Sequence, residues 1–167
     1  NRLIERHEIL RAAFVYKNVS KPVQLILKQR SVDFFYEDLR SLSEDKRTEY
    51  VKQFLKKDRD SGFNLNQDSL VRIHVFQLDE TQYKMIWSHP HILLDGWSGG
   101  IVQSEFVAIY TALKQGIEPE LPPSPSLGTY FDWLETKNHT ASHWFWKNDL
   151  YGYDSLVSIP SLLKDNK

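Results

Sequence analysis

The chain changes its hydrophobic period sharply at Asp95-Gly96, and this switch limits the folds open to it. Before it lie two β-runs rich in branched and aromatic residues, "LVRIHVFQL" (Leu70 to Leu78) and "YKMIWSHPHILL" (from Tyr83). They are joined by the polar turn Asp79-Glu80-Thr81. Two such runs across a short turn predict an antiparallel hairpin. After the switch, Ile101, Val102, Phe106, Ile109, Tyr110 and Leu113 recur at helical spacing, and Gly116 supplies a stop. Upstream, "NRLIERHEILRAAF" puts Leu3, Ile4, His7, Leu10 and Phe14 on one helical face, with Arg6 and Arg11 off its centre. Pro22 to Lys28 and Ser31 to Asp38 read as β-segments. "SLSEDKRTEYVKQFLKKD" predicts a helix with a Ser41/Glu44 capping box, a face of Tyr50, Val51, Phe54 and Leu55, and a break at Gly62. "TYFDWLETKNHTASHWFWKNDL" reads as a last helix, and the tail beyond it is weakly patterned. Helices and hairpins interleave without a strict βαβ rhythm. The expected class is therefore α/β, a mixed sheet covered by helices.

A chain of 167 residues can form one domain with a core, or half of a larger one. It opens without Met on "NRLIER", already charged and amphipathic, and is expected to be a piece of a longer polypeptide. Residues 1–167 read as a single partial domain, with a Pro-rich connector at 117–128 inside it. The net charge of -1 argues against a nucleic-acid partner, since phosphate binding relies on clustered Lys and Arg. The absence of Cys excludes disulfides, thiol nucleophiles and Cys-based zinc sites, and fits a reducing, cytoplasmic compartment. No run approaches the ~18 apolar residues of a spanning helix, so no membrane is expected.

The chemistry concentrates in "SHPHILLDGWSGG", Ser88 to Gly100. If the strand continues, Trp87, His89 and His91 share one face. Asp95 lies four residues past His91, and Gly96 tolerates a tight corner. Neutral imidazole is suited by its pKa to accept a proton near pH 7. A nearby Asp could position a histidine or brace the loop through an Arg. The alternative reading is a structural histidine at a strand end. His7 reads as core and His74 as part of a strand. His139 and His143 stand at i, i+4 but lack a third ligand nearby, so no metal is expected. "GWSGG" has neither the spacing nor the Lys of a phosphate loop, and Ser98 is not in a G-x-S-x-G nucleophile turn.

Four stretches in order resemble the condensation domains of non-ribosomal peptide synthetases: "RHEILRAAF" from Arg6, "FNLNQDSLVRI" from Phe63, "SHPHILLDGWS" from Ser88, and the Pro-rich connector with the Trp-containing helix after it. The resemblance covers nearly the whole chain. It implies the amino-terminal lobe of a chloramphenicol-acetyltransferase-like α/β fold. It also implies amide formation between a carrier-bound acyl or peptidyl thioester and the amine of a carrier-bound aminoacyl group. Both would arrive on phosphopantetheine arms, with no cofactor bound directly, in a tunnel completed by a second lobe. Carrier proteins, that lobe and neighbouring adenylation domains are the implied partners. His91 matches the signature's second His, implied to be the catalytic one, as a base or a positioning group. Asp95 matches the signature Asp, implied to pair with Arg11, or secondarily Arg6. The backbone of Gly96 is implied to lie near the oxyanion. Trp97 and Ser98 complete Asp-Gly-Trp-Ser, and His89 matches an extra His before the pair.

Two departures qualify the resemblance. Pro90 stands where the first signature His belongs, and the family's domain is more than twice this long, so this lobe alone is expected to be inactive. The alternatives are a degenerate, non-catalytic domain kept for carrier docking, or another His-x-x-x-Asp-Gly acyltransferase.

Overall fold

The computed structural model describes residues 1–155, in two compact units divided after Leu127. In the first unit the elements run α1 (Arg2–Arg6), β1 (Ala12–Val15), β2 (Val23–Ile26), β3 (Asp33–Asp38), α2 (Glu44–Ser61), β4 (Arg72–Gln77), β5 (Tyr83–Ser88) and α3 (Gly96–Lys114). Next come α4 (Leu127–Glu135), which spans the division, and α5 (His139–Asp149). Among the described residues, no helix is long and apolar enough to cross a membrane.

The mixed sheet is present, in the order β3-β4-β5. β4 runs parallel to β3 and antiparallel to β5, and β1 and β2 form a separate antiparallel ribbon. The predicted hairpin is β4–β5, with Ile73 opposite Trp87 and Arg72 opposite Ser88. Its turn is closed by Asp79, whose Oδ1 accepts from the backbone N–H groups of Thr81 (2.7 Å) and Gln82 (2.8 Å).

Alternation along β4 divides the core. Ile73 and Val75, with Trp87 of β5, join Leu3, Ile4, Leu10, Leu94, Val102 and Ile109 on the side of α1 and α3. Phe76, with Ile86, joins Leu39, Val51 and Phe54 on the side of α2.

Several boundaries differ from the sequence expectation, each for a local reason. The apolar stripe from Leu3 to Phe14 is not one helix. α1 ends at Arg6, a 3-10 turn covers Glu8–Arg11, and Phe14 lies on β1. Pairing of Ala12–Val15 with Val23–Ile26 outcompetes helix continuation, while Leu3, Ile4 and Leu10 still reach the same core. The N-cap of α2 is Ser43 rather than Ser41, and its side chain makes no capping bond. Only Val51 of that helix's expected face is fully buried; Tyr50 and Leu55 stay exposed. On α3, Val102, Ile109 and Ala112 are buried while Ile101, Tyr110 and Leu113 face outward. The last helix is two, because Asn138 interrupts it and caps α5 by accepting from the Ala141 N–H (3.0 Å). Gly62 and Gly116 end α2 and α3 as expected, both with positive φ.

The Arg-His-Glu triplet where α1 gives way to the 3-10 turn is a polar clasp, and His7 belongs to it rather than to the core. The Glu105 carboxylate on α3, only 13% exposed, accepts from Arg6 Nε (2.9 Å) and Nη2 (3.1 Å) and from His7 Nε2 (2.6 Å). His7 Nδ1 lies 3.3 Å from the Ser124 hydroxyl oxygen, Arg6 also donates to the Pro122 carbonyl, and Glu8 accepts from the Leu127 N–H (2.7 Å). Donation from Arg6 first, and from His7, holds the Glu105 carboxyl below its ordinary range. A carboxylate depressed in the fold adds stability that is complete above the unfolded glutamate pKa and is lost as pH falls through the folded value. Glu105→Gln should therefore destabilise the protein by about 2 kcal/mol at neutral pH. It should also flatten the acid limb of the stability curve, as urea unfolding across a pH series would register.

Candidate functional site

β5 ends at Ser88, so the strand does not carry the alternation on to His91. His89 and Pro90 leave the sheet, and His91 opens a turn closed by the Leu93 N–H donating to the Pro90 carbonyl (3.0 Å). Pro90 suits this position: its missing N–H costs no ladder bond beyond the strand, and its carbonyl still closes the turn. Leu93 and Leu94 are buried and pull the far side of the loop into the main core, while His91 stays exposed. The signature thus becomes a short arch between the end of β5 and the start of α3, with His91 on its outer side.

Asp95 is the N-cap of α3. Its Oδ1 accepts from the Ser98 N–H (2.8 Å) and the Ser98 hydroxyl (2.6 Å), and the Asp95 N–H donates to Ser98 Oγ (2.9 Å), a reciprocal capping box. The Ser98 side chain, ahead of its backbone N–H, keeps the Asp95 carboxyl below the usual range. The expected partnership with Arg11 or Arg6 does not form. Arg11 donates to the backbone carbonyls of Leu27 (3.0 Å), Ile4 (2.9 Å) and Glu5, locking α1 to the β1–β2 ribbon. Arg6 is committed to Glu105. A carboxylate directly ahead of a helix finds unsatisfied backbone N–H groups closer than any guanidinium, and the helix dipole favours its charge. Gly96 is the first residue of α3 and has no non-local atom within 4 Å of a notional Cβ. Trp97 is 88% exposed beside it.

His91 lies close enough to His89 to act on the charge of that ring. The pKa of His89 is pushed down, by desolvation first and then by His91, so its ring favours the neutral form. His74 is also held low by burial, but it lies on the α2 side of the sheet, stacked on Phe35 with centroids 4.5 Å apart and tilted against Phe54. That position separates it from the arch. His139 and His143 both lie on α5, in the second unit. Among the described residues, no group of three or more His, Cys, Asp or Glu could hold a metal ion.

Sequence reasoning missed one group. Ser88 Oγ donates to Asp58 Oδ2 of α2 (2.6 Å), and the Arg72 guanidinium of β4 lies 3.0 Å from the same carboxylate. Arg72 was visible in "LVRI" and Ser88 in "SHPH", but Asp58 sits in the charged run "KKDRD", which reads as a solvated helix end. A groove lined by Asp58, Arg59, Phe63, Trp87, His89 and Pro90 runs beside this group.

A family model described as Condensation domain matches residues 1–167. Bacitracin synthase 3 of Bacillus licheniformis is 35% identical over 167 residues, which is 100% of this chain and 3% of that protein. Gramicidin S synthase 2 of Brevibacillus brevis is 34% identical over 160 residues, 96% of this chain and 4% of that protein. The chain therefore spans a small fraction of the curated relatives it matches. Among solved structures, the starter condensation domain of rhizomide synthetase aligns with a TM-score of 0.77 at 16% identity, over 92% of this chain and 38% of that one. The epimerization domain from the third module of tyrocidine synthetase B aligns at 0.75 and 17% identity, over 95% and 36%. These structural matches show the fold.

The capping assignment has a direct test by thermal unfolding. Asp95→Ala should lower the melting temperature by several degrees, whereas Asp95→Asn, which keeps an acceptor for the Ser98 N–H, should retain most of the stability. Arg11→Lys should leave the cap intact and loosen the β1–β2 ribbon.

Proposed function

Since the chain belongs to the condensation-domain family and has the fold of its amino-terminal lobe, we propose that it forms part of an amide-forming acyltransferase centred on His91. The amine nitrogen of a carrier-bound aminoacyl group attacks the carbonyl carbon of a carrier-bound acyl or peptidyl thioester. The C–N bond forms and the C–S bond breaks. The proton lost by the amine ends on the departing phosphopantetheine sulfur. His91 relays that proton or orients the amine. The observation that carries this reading is the placement of His91, solvent-facing on an arch fixed at both ends, in the turn that leads into α3. Gly96, at that terminus, offers its backbone beside the positive end of the helix dipole, where charge developing on the thioester oxygen is favoured. The partners on this reading are two carrier-protein domains, the second lobe that closes the tunnel, and neighbouring adenylation domains.

In the complete domain, His91→Ala should cut amide formation by at least about 100-fold. Its thermal unfolding should match the parent's, since an exposed side chain contributes little to stability. Product appearance at the parental rate would refute the role of His91.

Pro90 favours a second reading, a decayed domain retained to dock carriers. The geometry of the arch argues against decay, because Pro90 closes the turn through its carbonyl, which any residue supplies. Pro90→His should therefore leave the condensation rate within a few-fold of the parent. A gain of orders of magnitude would identify the natural domain as degenerate.

The isolated 167-residue chain should form no amide. It should also self-associate in size-exclusion chromatography, given its exposed Trp97, Ile101 and Tyr110 on α3 and Phe34, Phe35 and Tyr36 on β3.

A further inference from the structure

The downstream half of the histidine arch is anchored by buried Leu93 and Leu94 and by the Asp95–Ser98 cap. The upstream half leaves the sheet from β5, which pairs with β4 along one edge only among the described residues. A terminal strand residue at a sheet edge frays readily. Ser88 does not rely on the ladder alone, because its hydroxyl donates to Asp58 Oδ2 at 2.6 Å, a short bond to a carboxyl oxygen.

Asp58 is itself held firmly. It is 12% exposed, and the Arg72 guanidinium stands 3.0 Å from its other oxygen. Arg72 in turn donates to the carbonyls of Gly62 (3.0 Å) and Asp58 (3.2 Å), and its guanidinium lies 4.0 Å from the centre of the Phe63 ring. The end of α2, the start of β4 and the end of β5 are thus fastened at one carboxylate, next to His89-Pro90-His91.

We propose that Asp58, acting through the Ser88 hydroxyl, is a positioning residue that fixes the upstream foot of the histidine arch. This rests on the reading of His91 as the group that handles the amine. Neither Asp58 nor Ser88 touches substrate in this scheme. Their effect is on where His91 stands when the amine and thioester meet. Displacing a reacting group by about 1 Å costs up to roughly 100-fold in rate.

The test uses the complete domain with a loaded donor carrier and a loaded acceptor carrier. Ser88→Ala removes one hydroxyl while leaving Asp58 paired with Arg72, so the fold should persist with a melting temperature close to the parent's. Its kcat should fall by about tenfold, with the KM for the acceptor carrier unchanged. Ser88→Thr restores the hydroxyl and should recover most of kcat. A kcat for Ser88→Ala within twofold of the parent, a loss confined to KM, or a Thr variant no better than the Ala variant would overturn the inference. His91→Ala, assayed alongside, separates the two levels. If it retains the parental rate, the reading of His91 fails and this inference with it. If it is inactive while Ser88→Ala keeps the parental kcat, the positioning role alone fails.

Discussion

Strand β4 has neighbours on both edges and packed side chains on both faces, so its alternation sets the arrangement around it. Ile73 and Val75 commit one face to α1 and α3, and Phe76 commits the other to α2. A one-residue slip against β5 would exchange these faces and put the aliphatic side chains where Arg72, His74 and Phe76 now meet α2. The same register sets Arg72 opposite Ser88 at the strand ends. The polar fastening beside the arch is thus a product of core packing elsewhere along the strand.

The sequence made the class and most elements legible because their signals are local. Branched and aromatic runs marked β2 to β5, the polar turn marked the hairpin, and the change of period marked α3. Where the expectation failed, a long-range partner decided the outcome. Nothing local in "RAAF" announces that Ala12–Val15 pairs with Val23–Ile26, and the helical spacing of Leu3, Leu10 and Phe14 reflects a shared core rather than a shared helix.

The candidate site divides in the same way. The motif residues were readable, and His91, Asp95, Gly96, Trp97 and Ser98 are contiguous in the arch and the first turn of α3. Their side-chain partners were not. Asp95 turns to the helix it precedes, Arg11 to backbone carbonyls, and Arg6 to a glutamate 99 positions along the chain. An Asp and an Arg in two motifs of one family invite pairing on paper, but backbone groups at helix ends and ribbon edges are nearer acceptors and donors. Asp58 escaped notice because a carboxylate in a charged helical run carries no mark of burial until the sheet it abuts is known.

The clasp between α1 and the Pro-rich connector bears on how such polypeptides could be recombined. Pro122, Ser124, Ser126 and Leu127 are each tied by hydrogen bonds to Arg6, His7 or Glu8, more than a hundred residues upstream. A chimera joined just after Lys114 would import a foreign connector and leave those three residues facing strangers. A splice placed beyond Leu127 would carry the connector together with the helix it fastens, which makes the end of the connector, rather than its beginning, the natural seam for exchange.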